Sequence, residues 1–157
     1  SEGKLAPPEH LVISQVALWN IGVANGGLGK DWLDVGFAYH TEYAVKNKVL
    51  MEYVKYQLNE ARLGPNWASE AKKMAGASKL IRWRELFDSD LVAWTPAHHV
   101  TAFATVSFLM RTDAVRFAKF NILIREGATA DEALEKIYGR PIDQLEAMCG
   151  KWILQGA

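Results

Sequence analysis

The sequence predicts an all-α fold, a single compact domain of seven or eight helices. Apolar residues recur every three or four positions along most of the chain, the spacing of one face of a helix. Glycine and proline fall mainly at breaks between these segments, and no stretch alternates apolar and polar residues as a half-buried strand does. We expect the 157 residues to form one helical domain over 1–157, with a polar, proline-containing arm at 1–8.

The first part of the chain is predicted to hold two or three helices. A proline pair precedes the pattern that predicts a helix at about 9–24, and a glycine pair follows it. From 31 to about 62 the only internal glycine is Gly36, so we expect one long helix or two nearly continuous ones. The segment GGLGK at 26–30 lacks the spacing of a phosphate-binding loop, and we interpret it as a turn between helices.

The rest of the chain is predicted to hold shorter helices. Their expected positions are about 67–75, 80–87, 96–110, 113–125, 130–138 and 141–153. Thr95 and Pro96 suit the N-cap and first turn of the third of these, which we expect to be the most buried. Thr129 and Glu132 form a capping-box pattern, and Gly139 suits a left-handed C-cap.

Composition argues against several classes of partner. The 18 basic and 18 acidic residues give a formal net charge of zero, so no global field attracts a phosphate backbone or an anionic membrane. No apolar run reaches the roughly 20 residues that cross a bilayer, and the first residues lack the pattern of a signal peptide. We therefore expect neither nucleic acid nor a membrane span. The single Cys149 leaves the compartment undetermined.

Histidines and tryptophans are the residues with most functional potential. The histidines are His10, His40, His98 and His99. None of their pairs has the i, i+4 spacing that places two imidazoles on one helix face, so we expect no metal and no cofactor, and we interpret His40 as solvated.

Of the six tryptophans, a first group fits buried helix faces: Trp19, Trp32 and Trp152. A second group lies near helix ends, where we prefer core packing to the wall of a groove: Trp67, Trp83 and Trp94.

Several short segments resemble one family in their order along the chain. WLDVGFAY at 32–39 is similar to the motif W-L-x-E-G-x-A-x-Y of gluzincin metallopeptidases, the thermolysin-like or peptidase MA-like proteins, and HLVIS at 10–14 resembles their H-E-x-x-H helix. Positions 10 and 35 are 25 residues apart, as the family's geometry suggests. Two later segments, TPAHHVTAFATVSFLM and GATADEALEKIYGRPIDQLEAMCGKWIL, resemble the family's closing helices. The resemblance covers most of the chain and implies the helical subdomain of gluzincins.

The resemblance also implies that the zinc chemistry of the family is lost. His10 matches the first zinc ligand, but Leu11 replaces the general base, Ser14 the second histidine and Val35 the ligand glutamate. Leucine accepts no proton and valine binds no zinc, so we expect no peptidase activity by that mechanism. The candidate cleft residues are His10, Ser14, Val35, Tyr39, Glu42, His98 and His99.

We therefore expect a non-catalytic, peptidase-like helical domain that binds a peptide or protein, or serves as a scaffold within a larger protein. Binding is expected near the old cleft between the first two helices and the helix at 96–110. The alternative is a metal-dependent hydrolase whose site is rebuilt from His10, Glu42 and His98 or His99, or is completed by an upstream segment. A third interpretation is a helical bundle with a small-molecule pocket, in which the family likeness is accidental.

Overall fold

The computed structural model describes residues 8–50 and 63–156, and every regular element in these two ranges is a helix. The α-helices are α1 (Pro8–Asn25), α2 (Asp31–Lys46), α3 (Trp67–Gly76), α4 (Trp83–Asp88), α5 (Pro96–Thr112), α6 (Ala114–Arg125), α7 (Ala130–Tyr138) and α8 (Ile142–Gly156). A 3₁₀ turn, Leu91–Ala93, lies between α4 and α5. The all-α class and the predicted number of seven or eight helices are confirmed for the described part of the chain.

Helix α5 forms the centre of the domain. Every residue from His98 to Leu109 is buried, as expected for the most apolar segment of the sequence. The helix contacts α2, α3, α4, α6 and α8, while α1 packs on α2 and α6. The core is therefore organised around α5, and α1 lies at its periphery.

Helices α2 and α5 approach so closely that their contact requires glycine. A Cβ atom at Gly36 would stand 2.7 Å from the carbonyl oxygen of Ala102 and 2.8 Å from Cγ2 of Val106. Both distances are shorter than van der Waals contact, so an alanine here would force the two helices apart. The glycine of the WLDVGFAY segment is thus explained by packing.

The aromatic residues of the same segment also belong to the core. Trp32 stacks on Phe87 with ring centroids 4.1 Å apart, and Tyr39 packs on Trp67 at 4.7 Å. Trp83 and Trp94 are buried as well. Core packing is therefore confirmed for the tryptophans that lie near helix ends.

The prediction for Trp19 is wrong, because 75% of its surface is exposed. Helix α1 turns Ala17 and Ile21 toward the core, and both are almost completely buried. Since residues two positions apart on a helix point in nearly opposite directions, Trp19 lies on the outer face. Trp152, in contrast, is partly buried against the core.

The helix boundaries depart from prediction mainly at two places. Helix α2 ends at Lys46, where Asn47 takes a left-handed conformation with φ 54°, so the prediction of one uninterrupted helix from 31 to about 62 is wrong. The alternative of two nearly continuous helices depends on residues 51–62, which lie outside the described residues. Helix α4 begins at Trp83, later than predicted.

Within 8–50 and 63–156, no helix combines the length and apolar content that a bilayer crossing requires.

The local signals at helix ends are confirmed. The Thr129 side chain accepts from the Glu132 amide and the Glu132 carboxylate accepts from the Thr129 amide, which is the predicted capping box of α7. Gly139 ends the same helix with φ 68°. The glycine pair at 26–27 is also left-handed and turns the chain from α1 to α2, as expected for a connecting turn.

Candidate functional site

Three of the predicted site residues meet where the start of α1 lies beside the end of α2. His10 and Ser14 are one turn apart on α1 and so share a face of that helix. Glu42, in the last part of α2, points at both of them. All three side chains are buried.

The Glu42 carboxylate is enclosed by hydrogen bonds. Its Oε1 atom lies 2.5 Å from Nδ1 of His10 and accepts the backbone N–H of Leu50 at 2.6 Å. Its Oε2 atom accepts the Ser14 hydroxyl at 3.3 Å. Both oxygens therefore have partners within the protein.

Burial and hydrogen bonding act in opposite directions on Glu42. Burial raises the pKa of the carboxyl group above its ordinary value, while the bonds from Leu50, His10 and Ser14 lower it, and burial is the larger effect. The acid is thus held in an environment that disfavours an isolated negative charge. Its pairing with His10 offsets part of this cost of burial.

The chemical potential of this group depends on the second nitrogen of His10. A carboxylate that binds Nδ1 fixes the orientation of an imidazole and leaves Nε2 for a proton or a metal. A metal site would require further ligands, because zinc takes three or four from the protein. In the ranges that the structure describes, no three His, Cys, Asp or Glu side chains are grouped to hold an ion.

A second hydrogen-bonded pair joins α2 to α5. The Tyr39 hydroxyl lies 2.8 Å from Nδ1 of His99, and the His99 ring makes an edge contact with Trp94 at a centroid distance of 5.1 Å. Burial and, to a smaller extent, the neighbouring His98 lower the pKa of His99 to about 4. His99 is therefore a neutral imidazole at pH 7.

His98 has a local role at the start of α5. Its Nδ1 atom accepts the backbone N–H of Thr95 at 3.2 Å, which completes a capping box at the helix N-terminus. Its Nε2 atom is 3.9 Å from a carboxylate oxygen of Glu85. Burial lowers the pKa of His98 despite that nearby negative charge. The side chain is thus engaged as a cap.

The predicted cleft residues therefore separate into several environments. His10, Ser14 and Glu42 form one hydrogen-bonded group, and Tyr39 and His99 form another. Val35 is a buried member of the hydrophobic core, and His98 caps α5. The rebuilt site of the alternative interpretation groups His10 and Glu42 with His98 or His99. The structure brings His10 and Glu42 together, whereas His98 and His99 make their hydrogen bonds elsewhere.

The interpretation of His40 as solvated is wrong. Its Nδ1 atom lies 2.9 Å from the Ser107 hydroxyl, so it ties α2 to α5. Burial and the nearby Arg111 lower the pKa of His40 to about 4. The sequence also does not predict the hydrogen bond from the Leu50 backbone N–H to Glu42, since no sequence signal marks a backbone donor.

The outer face of α1 carries an exposed apolar stripe. We call Val12, Val16, Trp19 and Val23 the α1 stripe; each is more than half exposed. They are separated by four, three and four residues, which places them along one side of the helix. Apart from His10, the only ionisable residue in α1 is Glu9. A solvent-facing helix usually carries far more charge.

A groove runs beside this stripe, between α1 and α6. This α1–α6 groove encloses about 440 Å³, and its lining includes Asn20, Ala24, Phe117, Asn121 and Ile122. The Nδ2 atom of Asn121 donates to the carbonyl of Phe117 at 2.9 Å, but its Oδ1 atom is buried and accepts no hydrogen bond from the described residues. The groove therefore has a largely apolar lining, and the unsatisfied oxygen has almost no accessible surface.

Comparison with known proteins gives no match for this chain among family models, curated proteins or solved structures.

Proposed function

We propose that this chain is a non-catalytic helical domain that binds another polypeptide, with the α1 stripe as its contact surface. The observation that carries the proposal is the exposure of Trp19 between three exposed valines. Contiguous apolar surface of this kind is typical of interaction sites, and tryptophan is enriched among the residues that dominate binding energy. The resemblance to gluzincins remains part of the proposal, as a peptidase-like framework with vacant ligand positions.

The buried polar group of His10, Ser14 and Glu42 contributes to this function by fixing the orientation of α1. His10, Ser14 and Leu50 satisfy both oxygens of Glu42. These contacts join α1 to the end of α2 and so fix the rotation of α1 about its axis. Because His10 and Ser14 face inward, Val12 and Val16 face outward. The polar group therefore holds the α1 stripe toward solvent.

Photo-crosslinking tests the proposed surface. A benzophenone amino acid at Val16 should form an adduct with the partner in cells that express the chain, and mass spectrometry identifies the adduct. The purified partner should then bind the chain, and Trp19→Glu should weaken that binding about 30-fold or more, the usual effect of removing a dominant interface residue. Circular dichroism should show an unchanged helix content, since Trp19 is exposed.

Val92 provides the matched control. It is an apolar residue with 94% exposure on the 3₁₀ turn, which is outside α1. The change Val92→Glu should leave the affinity unchanged. Equal adduct yields from Val92 and Val16, or equal effects of Val92→Glu and Trp19→Glu, would contradict the proposal.

A metal-dependent hydrolase remains the second candidate, because the structure brings His10 and Glu42 together. A histidine and a carboxylate in contact supply two possible metal ligands, whereas zinc takes three or four ligands from the protein. Elemental analysis of the chain, purified without chelators, tests this candidate. One metal per chain, lost in His10→Ala and in Glu42→Ala but kept in Trp19→Glu, would favour the hydrolase. A chain without stoichiometric metal would remove it.

A further inference from the structure

We propose that the occupant of the α1 stripe is a second copy of this chain, in a two-fold symmetric dimer where Trp19 of each copy enters the α1–α6 groove of the other. This inference rests on the proposed function, because it uses the same surface. It adds the identity of the partner and the way in which the two surfaces fit.

The stripe and the groove lie side by side, as a symmetric dimer requires. Asn20 and Ala24 line the groove and directly follow Trp19 and Val23 of the stripe in sequence. In a two-fold dimer the same patch faces itself, so a projecting group and its receptor must belong to one continuous surface. Here the projecting group is Trp19. Its receptor is the groove that begins at the next residue.

The groove also fits an indole in size and in its largely apolar lining. Its volume of about 440 Å³ lies in the range of pockets that enclose small organic ligands, so it has room for one indole ring. An indole presents mostly apolar surface, and most of the residues that line the groove are apolar. Insertion of Trp19 would therefore remove apolar surface of both copies from water.

The area and charge of the surface are compatible with self-association. The four side chains of the stripe expose roughly 450 Å² per copy, so a symmetric pair would bury roughly 900 Å² before the groove walls contribute, close to the 1,000 Å² of a specific interface. Arg125 is the only charged residue among the described residues that line the groove. Little charge therefore has to lose its hydration when two copies meet.

Sedimentation velocity at concentrations from about 1 to 100 μM tests this dimer, because interfaces near the minimum size associate in this range. The unaltered chain should dimerise with increasing concentration. Trp19→Glu should be monomeric throughout. Ala118→Trp, which places a ring in the groove from its exposed α6 wall, should raise the dimer Kd about tenfold or more, because the incoming Trp19 would no longer fit. Val92→Glu should behave like the unaltered chain.

Three results would overturn the inference. A monomer at every concentration would exclude a second copy as the occupant. A dimer that survives Trp19→Glu would place the interface elsewhere, and a dimer that Ala118→Trp leaves unchanged would exclude insertion into the groove. The crosslink from Val16 separates this failure from failure of the proposed function. An adduct with a different polypeptide, in a chain that stays monomeric, retains the binding function and rejects only self-association.

Discussion

At the scale of the residue, replacement of Glu42 tests whether the buried group of His10, Ser14 and Glu42 stabilises the fold. It receives hydrogen bonds from His10, Ser14 and Leu50 and has no exposed surface. Glu42→Ala should lower the free energy of unfolding by about 3 kcal/mol, because His10 and the Leu50 amide would lose a buried partner. Urea unfolding measures this change.

Glu135→Ala is the matched control for that prediction. Glu135 is exposed on α7, so its removal should change the free energy of unfolding by less than about 0.5 kcal/mol. Losses of similar size in the two variants would show that the Glu42 group is not a structural tie. In that case its short contact with His10 would need a functional explanation.

At the scale of the element, the contact between α2 and α5 predicts opposite effects for two glycine substitutions. Gly36→Ala should destabilise the protein by about 2 kcal/mol or more, since the new Cβ atom meets the Ala102 carbonyl. Gly150→Ala, within α8, should stabilise it by about 0.5 to 1 kcal/mol, because that Cβ atom meets no other group within 4 Å and alanine is the better helix former.

Thermal or urea unfolding of both glycine variants measures the two changes in the free energy of unfolding. Both changes add the same methyl group to the interior of a helix, so helix propensity alone would stabilise both. Only the distance to the neighbouring helix differs. A stable Gly36→Ala variant would mean that α2 and α5 can separate slightly without loss of packing.

Helix α1 shows why the prediction of an element can succeed while its orientation is wrong. The apolar spacing predicts the helix over nearly its observed length. Apolar residues occur on all sides of it, however, with Ala17 and Ile21 on one side and Val16 and Trp19 on the other. Since either side could face the core, the sequence does not specify which one is buried. The packing of α1 on α2 and α6 decides it.

At the scale of the whole molecule, His99, which is buried, and His40, which is half-buried, predict that the free energy of unfolding falls in mild acid. The pKa values of His40 and His99 are lowered to about 4. In the unfolded chain these imidazoles bind protons near pH 6.5, whereas the folded protein resists protonation until about pH 4. The contribution of these histidines to the free energy of unfolding is therefore complete above pH 6.5 and is lost as the pH falls toward 4. The expected loss is about 2 kcal/mol per histidine between pH 7 and pH 5.

Two carboxyl groups act against this trend, so the measurement must compare variants. Burial raises the pKa of Glu42 and of Asp34, and both therefore favour the folded state as the pH falls toward their folded pKa values. Urea unfolding at pH 7 and pH 5 should show a smaller pH dependence for His40→Gln and for His99→Gln than for the unaltered chain. An unchanged pH dependence in both variants would show that these imidazoles are protonated in the folded protein.

The sequence by itself determined the helical class, the main helix positions, the caps of α5 and α7, and the burial of α5. These features depend on interactions within a few residues, or on a segment so apolar that all its sides must be buried. Tertiary structure decided the meeting of His10 with Glu42, the pairing of His40 with Ser107, and the exposure of Trp19. Each depends on the distance and rotation between helices that are remote in sequence, and the packing of the whole core fixes these quantities.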